Sequence, residues 1–205
     1  MKEDKRRRIL EAAVTVFARE GYAGAKVADI AKKAGVADGT IYLYFRSKEE
    51  LLLTLFEEIV GEFIEEAQRL LRPGADAREK LATLATVHLQ KLAANRDLAV
   101  VLQVELRQGI HHLTHITRSR LKVYLGLIKS ILEEGQRAGL VRADLDPIIG
   151  AHVVFGSLDA LITSWVLSGQ PKDLGKLGDT LAAILMDGIA GPGAPRPDRK
   201  KGKSR

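Results

Sequence analysis

The stretch VADIAKKAGVADGTIYLYFRSK, residues 27–48, decides how the rest of the chain is read. Val27, Ile30 and Ala31 repeat at i, i+3 and i+4, the apolar face of a helix barely two turns long. Gly35 is the residue expected where such a helix stops in a left-handed conformation, and Val36 plugs the turn. Ala37 and Asp38 open a second short helix, with Asp38 as N-cap because its carboxylate can accept the free amides of the first turn. Along GTIYLYF, Ile41 and Phe45 stand four apart and face inward, so Thr40, Tyr42, Leu43 and Tyr44 fall on the outer side and the helix end. Two helices this short bury too little apolar surface to stand alone and must lean on neighbours. Helix, glycine turn, helix is the helix-turn-helix arrangement, whose second member enters the major groove of DNA.

Working outward, Ser47 and Glu50 form a capping box that starts a helix over residues 48–71, where Leu51, Leu55, Ile59, Phe63 and Leu70 keep a helical spacing until Arg72, Pro73 and Gly74 break it. Upstream, Ile9, Ala13, Val16 and Phe17 give a first helix over residues 5–20 with Gly21 as its stop. Residues 2–8 form a basic arm ahead of it, read either as a phosphate or minor-groove contact or as a solubilising end. Downstream every segment has a helical period and none alternates as a strand does. Asp76 caps residues 77–93, Asn95 and Asp97 introduce a helix through 99–108, and 109–112 is a break before a long helix to about 135–138. Pro147 opens a helix over 147–167, and 174–189 is the last. Residues 191–205, GPGAPRPDRKKGKSR, read as a disordered basic tail.

The helix at 147–167 is apolar on most sides and must be buried on more than one face. Subunit association is the economical explanation: the last two helices of one chain pair with those of another in a four-helix bundle, through Phe155, Leu158, Ile162, Leu181, Ile184 and Leu185. An entirely intramolecular core is the alternative. Two-fold pairing also suits DNA, because one short recognition helix reads few base pairs and a dimer doubles the contacts on a palindrome.

Charge is divided along the chain. Residues 1–48 hold 11 Lys and Arg against 6 Asp and Glu, and residues 192–205 hold 6 against 1, while the body between holds 15 against 19. Positive charge on the helix-turn-helix end points to a polyanion partner.

With these elements placed, the run from Ile9 to Phe56, carrying AAVTVFAREGY and VADIAKKAGVADGTIYLYFRSKEELLLTLF, resembles the N-terminal DNA-binding domain of TetR-family repressors. VADGTIYLYF, LQVELRQ (residues 102–108) and FGSLDALITSWV (residues 155–166) together resemble the bacterial TetR-type regulators of fatty-acid degradation, which answer to long-chain acyl-CoA. The resemblance implies an all-α fold: a three-helix helix-turn-helix domain at residues 1–48, a linking helix over 48–71, and a helical effector-binding and dimerisation domain over 49–190. It implies a repressor released from a palindromic operator when acyl-CoA binds; a repressor of an efflux pump, answering to another amphipathic molecule, is the alternative. The chain departs from the family where many members carry a Thr or Ser pair as cap and phosphate ligand: here stand Ala25, Lys26 and Val27, so the cap hydrogen bond is lost and Lys26 can supply a phosphate contact.

The expected DNA contacts are Lys26, Val27, Ala28, Asp38, Gly39, Thr40, Tyr42, Leu43, Tyr44 and Lys48. Thr40, Tyr42 and Tyr44 offer phosphate hydrogen bonds, Gly39 lets the backbone approach, and Lys48 sits beside the free amides of a helix start, a ready phosphate site. Plain packing is the other reading of both tyrosines. No Arg, Asn or Gln in the recognition helix offers bidentate base readout, so apolar contact and DNA shape carry more of the specificity. For the effector, Leu102, Leu106, Arg107, Gln108 and Tyr124 are the candidates, Arg107 meeting thioester, pantetheine or phosphate groups with Arg118, Arg120 or Lys122. Helical spacing alone also fits a solvated salt-bridge face.

No cysteine means no disulfide framework and no thiolate metal site, and no uninterrupted apolar run approaches the roughly 18 residues that span a membrane. The charged N-terminus has no secretory pattern, so a soluble cytoplasmic protein is expected. His111, His112 and His115 are the sole metal-like cluster and read better as exposed loop histidines. No nucleophile motif, Walker loop or dinucleotide fingerprint occurs; neither catalysis nor a cofactor is expected.

Overall fold

The structure is a computed structural model that describes residues 2–105, 116–168 and 173–189. The regular elements among them are helical: α1 (Lys2–Gly24), α2 (Val27–Ala34), α3 (Asp38–Tyr42), α4 (Lys48–Leu70), α5 (Ala77–Ala93), α6 (Arg96–Val100) running into a π-helical turn (Val101–Glu105), α7 (Ile116–Arg137), α8 (Pro147–Ser168), and a 3-10 turn (Leu174–Lys176) leading into α9 (Leu177–Ile189). The fold is all-α, as the periodicity requires.

Side-chain caps set the starts of α4, α5 and α6. Ser47 Oγ accepts from the Glu50 amide at 3.1 Å, while Glu50 Oε2 reaches back to the Arg46 amide at 2.5 Å, which closes the box one residue earlier than its usual form. Asp76 accepts from the Glu79 amide and Asn95 from the Leu98 amide. Gly35 ends α2 at φ 68°, ψ 41°, where an L side chain is strained; its amide bonds Lys32 O and the Val36 amide bonds Ala31 O, a Schellman ending.

Three expectations are corrected here. The N-terminal basic residues are not an arm but the first turns of α1. Arg6 lies 5.7 Å from the Phe45 ring and pairs with Glu58 of α4, and Arg8 donates to Ala34 O at 2.5 Å, so both guanidinium groups serve the packing of the head. Asp38 is not the N-cap of α3: Ala37 occupies that position without a side-chain bond, and Asp38, one residue inside, supports the helix only by its charge at the positive end of the dipole. The helix expected through residue 108 gives way after Val100 to the π turn, which admits one extra residue per turn and brings Gln103 inward to accept from Thr163 Oγ1 at 2.9 Å.

α4 is buried along its length, from Leu51 to Ala67, and packs against α1 at the head and against α5 and α7 in the body. α5 in turn lies between α4 and α9. Lys91 of α5 reaches Glu62 and Glu66 of α4 at 2.9 and 3.3 Å, and Arg78 of α5 pairs with Asp187 of α9 at 3.0 Å. α9 approaches α5 so closely that a Cβ on Gly178 would stand 2.8 Å from the backbone N and Cα of Thr86. α8 is long and apolar enough, at mean hydropathy 1.4, to pass for a membrane span. It nevertheless buries Ala151, Val154, Leu158, Ile162 and Trp165 in the core of the chain.

Because backbone atoms of Thr86 cannot rotate away, Gly178→Ala is expected to lower stability by about 1–3 kcal/mol, the usual cost of overpacking. Urea unfolding checks it; an unchanged midpoint would mean that α9 does not sit this close.

Candidate nucleic-acid interface and effector region

The second helix of the motif presents its apolar residues to the head and the rest outward. Ile41 and Phe45 are buried, whereas Tyr42 is 57% exposed and Leu43 79% exposed. Asp38 and Gly39 are exposed, and Thr40 and Tyr44 are half-buried, Tyr44 tilted against Phe45 with ring centroids 6.5 Å apart. Tyr42 is therefore free for a partner and is not packing; Tyr44 does both. At the start of α2, Lys26 and Ala28 are exposed and Val27 is half-buried. Lys26 takes the N-cap position with extended φ, ψ and no side-chain bond, so the missing cap read from the sequence is real and its ammonium is available.

Lys48 is placed differently from the expectation. Its Nζ donates to the carbonyl oxygens of Tyr22 at 2.6 Å, Ala25 at 2.9 Å and Ala23 at 3.4 Å, and lies 4.6 Å from the centroid of the Tyr22 ring. An ammonium has three donors, and all three are committed. Lys48 thus fastens the first turn of α4 to the end of α1, beyond its kink at Gly21 (φ 70°), and to Ala25 after it, instead of reaching for phosphate. The Tyr22 hydroxyl beside it has its pKa raised by burial and by the charge of Glu49.

In the body, the π turn, which carries the half-buried Leu102, packs against α1 of the head and against α8. Leu106, Arg107 and Gln108 lie outside the described residues, as do His111, His112 and His115. No group of three His, Asp or Glu able to hold a metal occurs among the described residues. Arg120 and Lys122 are exposed on α7.

Tyr124 is buried, and its hydroxyl lies 2.8 Å from Nδ1 of His88 on α5. Around the pair stand Phe63 of α4, 5.0 Å from the His88 ring, and Phe155 of α8, 6.0 Å from Tyr124 and 6.4 Å from His88. Burial lowers the pKa of His88 to about 4 against a small opposing field from Asp159, and burial drives that of Tyr124 far above the ordinary tyrosine value. Sequence reasoning passed over His88. Its signal was a polar residue on the buried face of α5, among Leu81, Leu84, Ala85 and Leu92.

The association residues divide. Leu158 and Ile162 have no exposed surface, and Leu181 is buried too, so these three belong to the core of the chain and not to an outer face, a correction of the expectation. Phe155 is half-buried against the His88–Tyr124 pair, Leu185 is half-buried, and Ile184 is 65% exposed. The exposed large apolar residues of α8 are Ile148, Ile149, Val153 and Leu167.

Residues 9–55 match the bacterial regulatory proteins of the tetR family, and residues 56–188 match the C-terminal region of YsiA-like proteins. The chain belongs to the TetR family. It is a DNA-binding transcription regulator, not an enzyme. Over 188 residues it is 42% identical to the fatty acid metabolism regulator protein of Bacillus subtilis, covering 92% of this chain and 97% of the relative. Among solved structures it resembles the fatty acid degradation regulator FadR of Bacillus halodurans, with TM-score 0.86 and 41% identity over 90% of this chain and 95% of the other. It also resembles FadR of Bacillus subtilis in complex with stearoyl-CoA, with TM-score 0.84 and 42% identity over 89% of this chain and 98% of the other.

Two outcomes follow from this TetR-family head and body. Lys48→Met is expected to weaken binding to an operator selected from random DNA while leaving the slope of log affinity against log salt unchanged, because no phosphate contact is lost. Lys26→Ala is expected to flatten that slope by about one unit. Anisotropy titrations between roughly 50 and 200 mM salt distinguish the two; a slope change for Lys48→Met would return it to the phosphate contacts. The second outcome concerns His88. Its folded pKa is depressed, so the native state binds fewer protons than the unfolded state below the ordinary value of 6.5. Its contribution to stability is whole above that value and is lost as pH falls toward about 4. Urea unfolding across this window should show a steeper acid loss in the wild type than in His88→Phe; equal slopes would contradict it.

Proposed function

We propose that this regulator is a homodimeric cytoplasmic repressor of fatty-acid degradation genes, which holds a palindromic operator with both heads and leaves it when a long-chain acyl-CoA enters the body. The likeness of nearly the whole chain to a regulator that holds stearoyl-CoA supports the effector. The position of the LQVELRQ stretch supports the coupling: its first residues form the π turn that packs on both α1 and α8, so a ligand that moves this turn moves the head. Residues 1–48 act as the DNA-binding unit, α4 carries its tilt, and the rest binds ligand and partner. A ligand that prefers the arrangement with misplaced heads shifts the population toward release.

The partner surface proposed is the exposed side of α8 with Ile184 of α9. Ile149, Val153 and Leu167 flank Gly156, Ala160 and Ser164 there, small residues that let a second helix approach. Val153→Arg is expected to give monomers by sedimentation and to weaken operator binding by about 100-fold or more, since the avidity of two linked heads is lost. A dimer that persists would move the interface elsewhere.

The effector is tested by anisotropy of the operator complex titrated with stearoyl-CoA, stearate and CoA. Release by the acyl-CoA alone is the expected result. Intact operator binding with no release by any of the three would leave the repressor standing and remove the fatty-acid effector, in favour of another amphipathic molecule.

A further inference from the structure

The buried His88–Tyr124 pair has a fixed direction. The Tyr124 hydroxyl, sealed in the core, has one acceptor for its proton among the described residues, and that is Nδ1 of His88. Tyr124 therefore donates and Nδ1 accepts, which places the ring proton on Nε2. Nε2–H is then a donor on a side chain only 5% exposed, and it has no hydrogen-bond partner among the described residues. No side-chain nitrogen or oxygen fully sealed from solvent lacks a partner among those residues, so Nε2 borders space that a small atom can enter. An unused donor in such a place costs stability unless something fills the space and accepts from it.

The surroundings select the acceptor. The pair is bounded by the rings of Phe63 and Phe155. A carboxylate or phosphate oxygen would meet a single neutral donor and an apolar wall, too little to offset the desolvation of its charge. A carbonyl oxygen needs only the one donor and carries no charge to desolvate.

We propose that His88 Nε2–H is the donor that recognises the carbonyl oxygen of an acyl thioester in the body of this regulator, with Tyr124 as the residue that fixes the ring. This rests on the acyl-CoA reading above and extends it. The group distinguishes a thioester both from a free fatty-acid anion and from an alkyl chain without a carbonyl, and so explains how an apolar interior would answer to acyl-CoA and not to stearate.

Calorimetric titration of the full chain with stearoyl-CoA and with S-octadecyl-CoA, the thioether in which a methylene replaces the carbonyl, tests it. The wild type should bind the thioester roughly tenfold more tightly, the worth of one buried hydrogen bond. His88→Phe should bind both ligands with the weaker affinity, and His88→Gln, whose Nε2 stands near that of the ring, should recover part of the preference. Tyr124→Phe, which leaves the ring in place and frees its tautomer, should reduce the preference severalfold and serves if His88→Phe does not fold; operator binding by each variant reports the fold. Equal affinities in the wild type would mean that water alone fills the space, and an undiminished preference in His88→Phe would assign the carbonyl to another donor; either overturns the proposal. Binding of neither ligand by wild-type protein that still holds operator overturns the effector reading itself, and the proposal with it.

Discussion

The three hydrogen bonds of the Lys48 ammonium pin the first turn of α4 to the residues that lead from α1 into α2. α2 and α3 are too short to persist as isolated helices; α2 is held against α1, and α3 against α2. Lys48 is the first residue of α4, and the carbonyls it holds belong to Tyr22 and Ala23, in the last turn of α1 beyond its kink at Gly21, and to Ala25 in the connection to α2. Arg8 does the same for the end of α2 through Ala34 O, and Arg6 ties α1 to α4 through Glu58. Cations that composition marks as DNA ligands are thus partly the internal fastenings of the head. These contacts give a tilt of α4 a direct route to the helix-turn-helix unit.

At its other end α4 is fastened to α5 by Lys91, which bridges Glu62 and Glu66 and lies 5.9 Å from the Phe63 ring. α5 is pressed against α9 at Gly178 and ion-paired to it through Arg78. A dimer formed through α8 and α9 would therefore hold the two α5 helices, and through them the two α4 helices, at a set spacing. Surface pairs of this kind contribute little individually, about 0–1 kcal/mol. They matter here as registers that keep apolar faces in one alignment.

Much of this was legible in the sequence because it is written in local chemistry. The caps of Ser47, Asp76 and Asn95 act on amides three residues away, and Gly35 ends α2 by a backbone preference of its own. Ile41 and Phe45 were separable from Tyr42 and Leu43 by spacing alone. What was not legible depends on distant neighbours. A lysine at a helix start reads as a phosphate ligand until the carbonyls of Tyr22 and Ala25 are found beside it. A helix apolar on most sides, such as α8, has too weak a period to tell Leu158 and Ile162, which face the core, from Ile149 and Val153, which do not. The π turn is invisible for the same reason, because Gln103 turns inward toward Thr163, sixty residues away. His88 was hidden by its company: one polar residue on an apolar stripe reads as an exception until Tyr124 is placed against it.

The proposed switch also has to satisfy arithmetic. Turning a dimer from about 99% competent for DNA to about 1% requires the effector to favour the released arrangement by about 10⁴, or about 5.5 kcal/mol. With one ligand per subunit, each contributes about half of that. A single hydrogen bond, worth roughly 1 kcal/mol, is too small even if it forms in one arrangement alone. About 110 Å² of apolar surface, buried in one arrangement and not in the other, suffices at roughly 25 cal/mol per Å². The acyl chain is then the part of the ligand able to drive the change, and polar groups such as His88 decide which ligand is admitted. The apolar contacts that change have to lie on elements reaching the head. In this chain α4 and the π turn meet that condition: α4 runs from the head into the body, and the π turn packs on both α1 and α8.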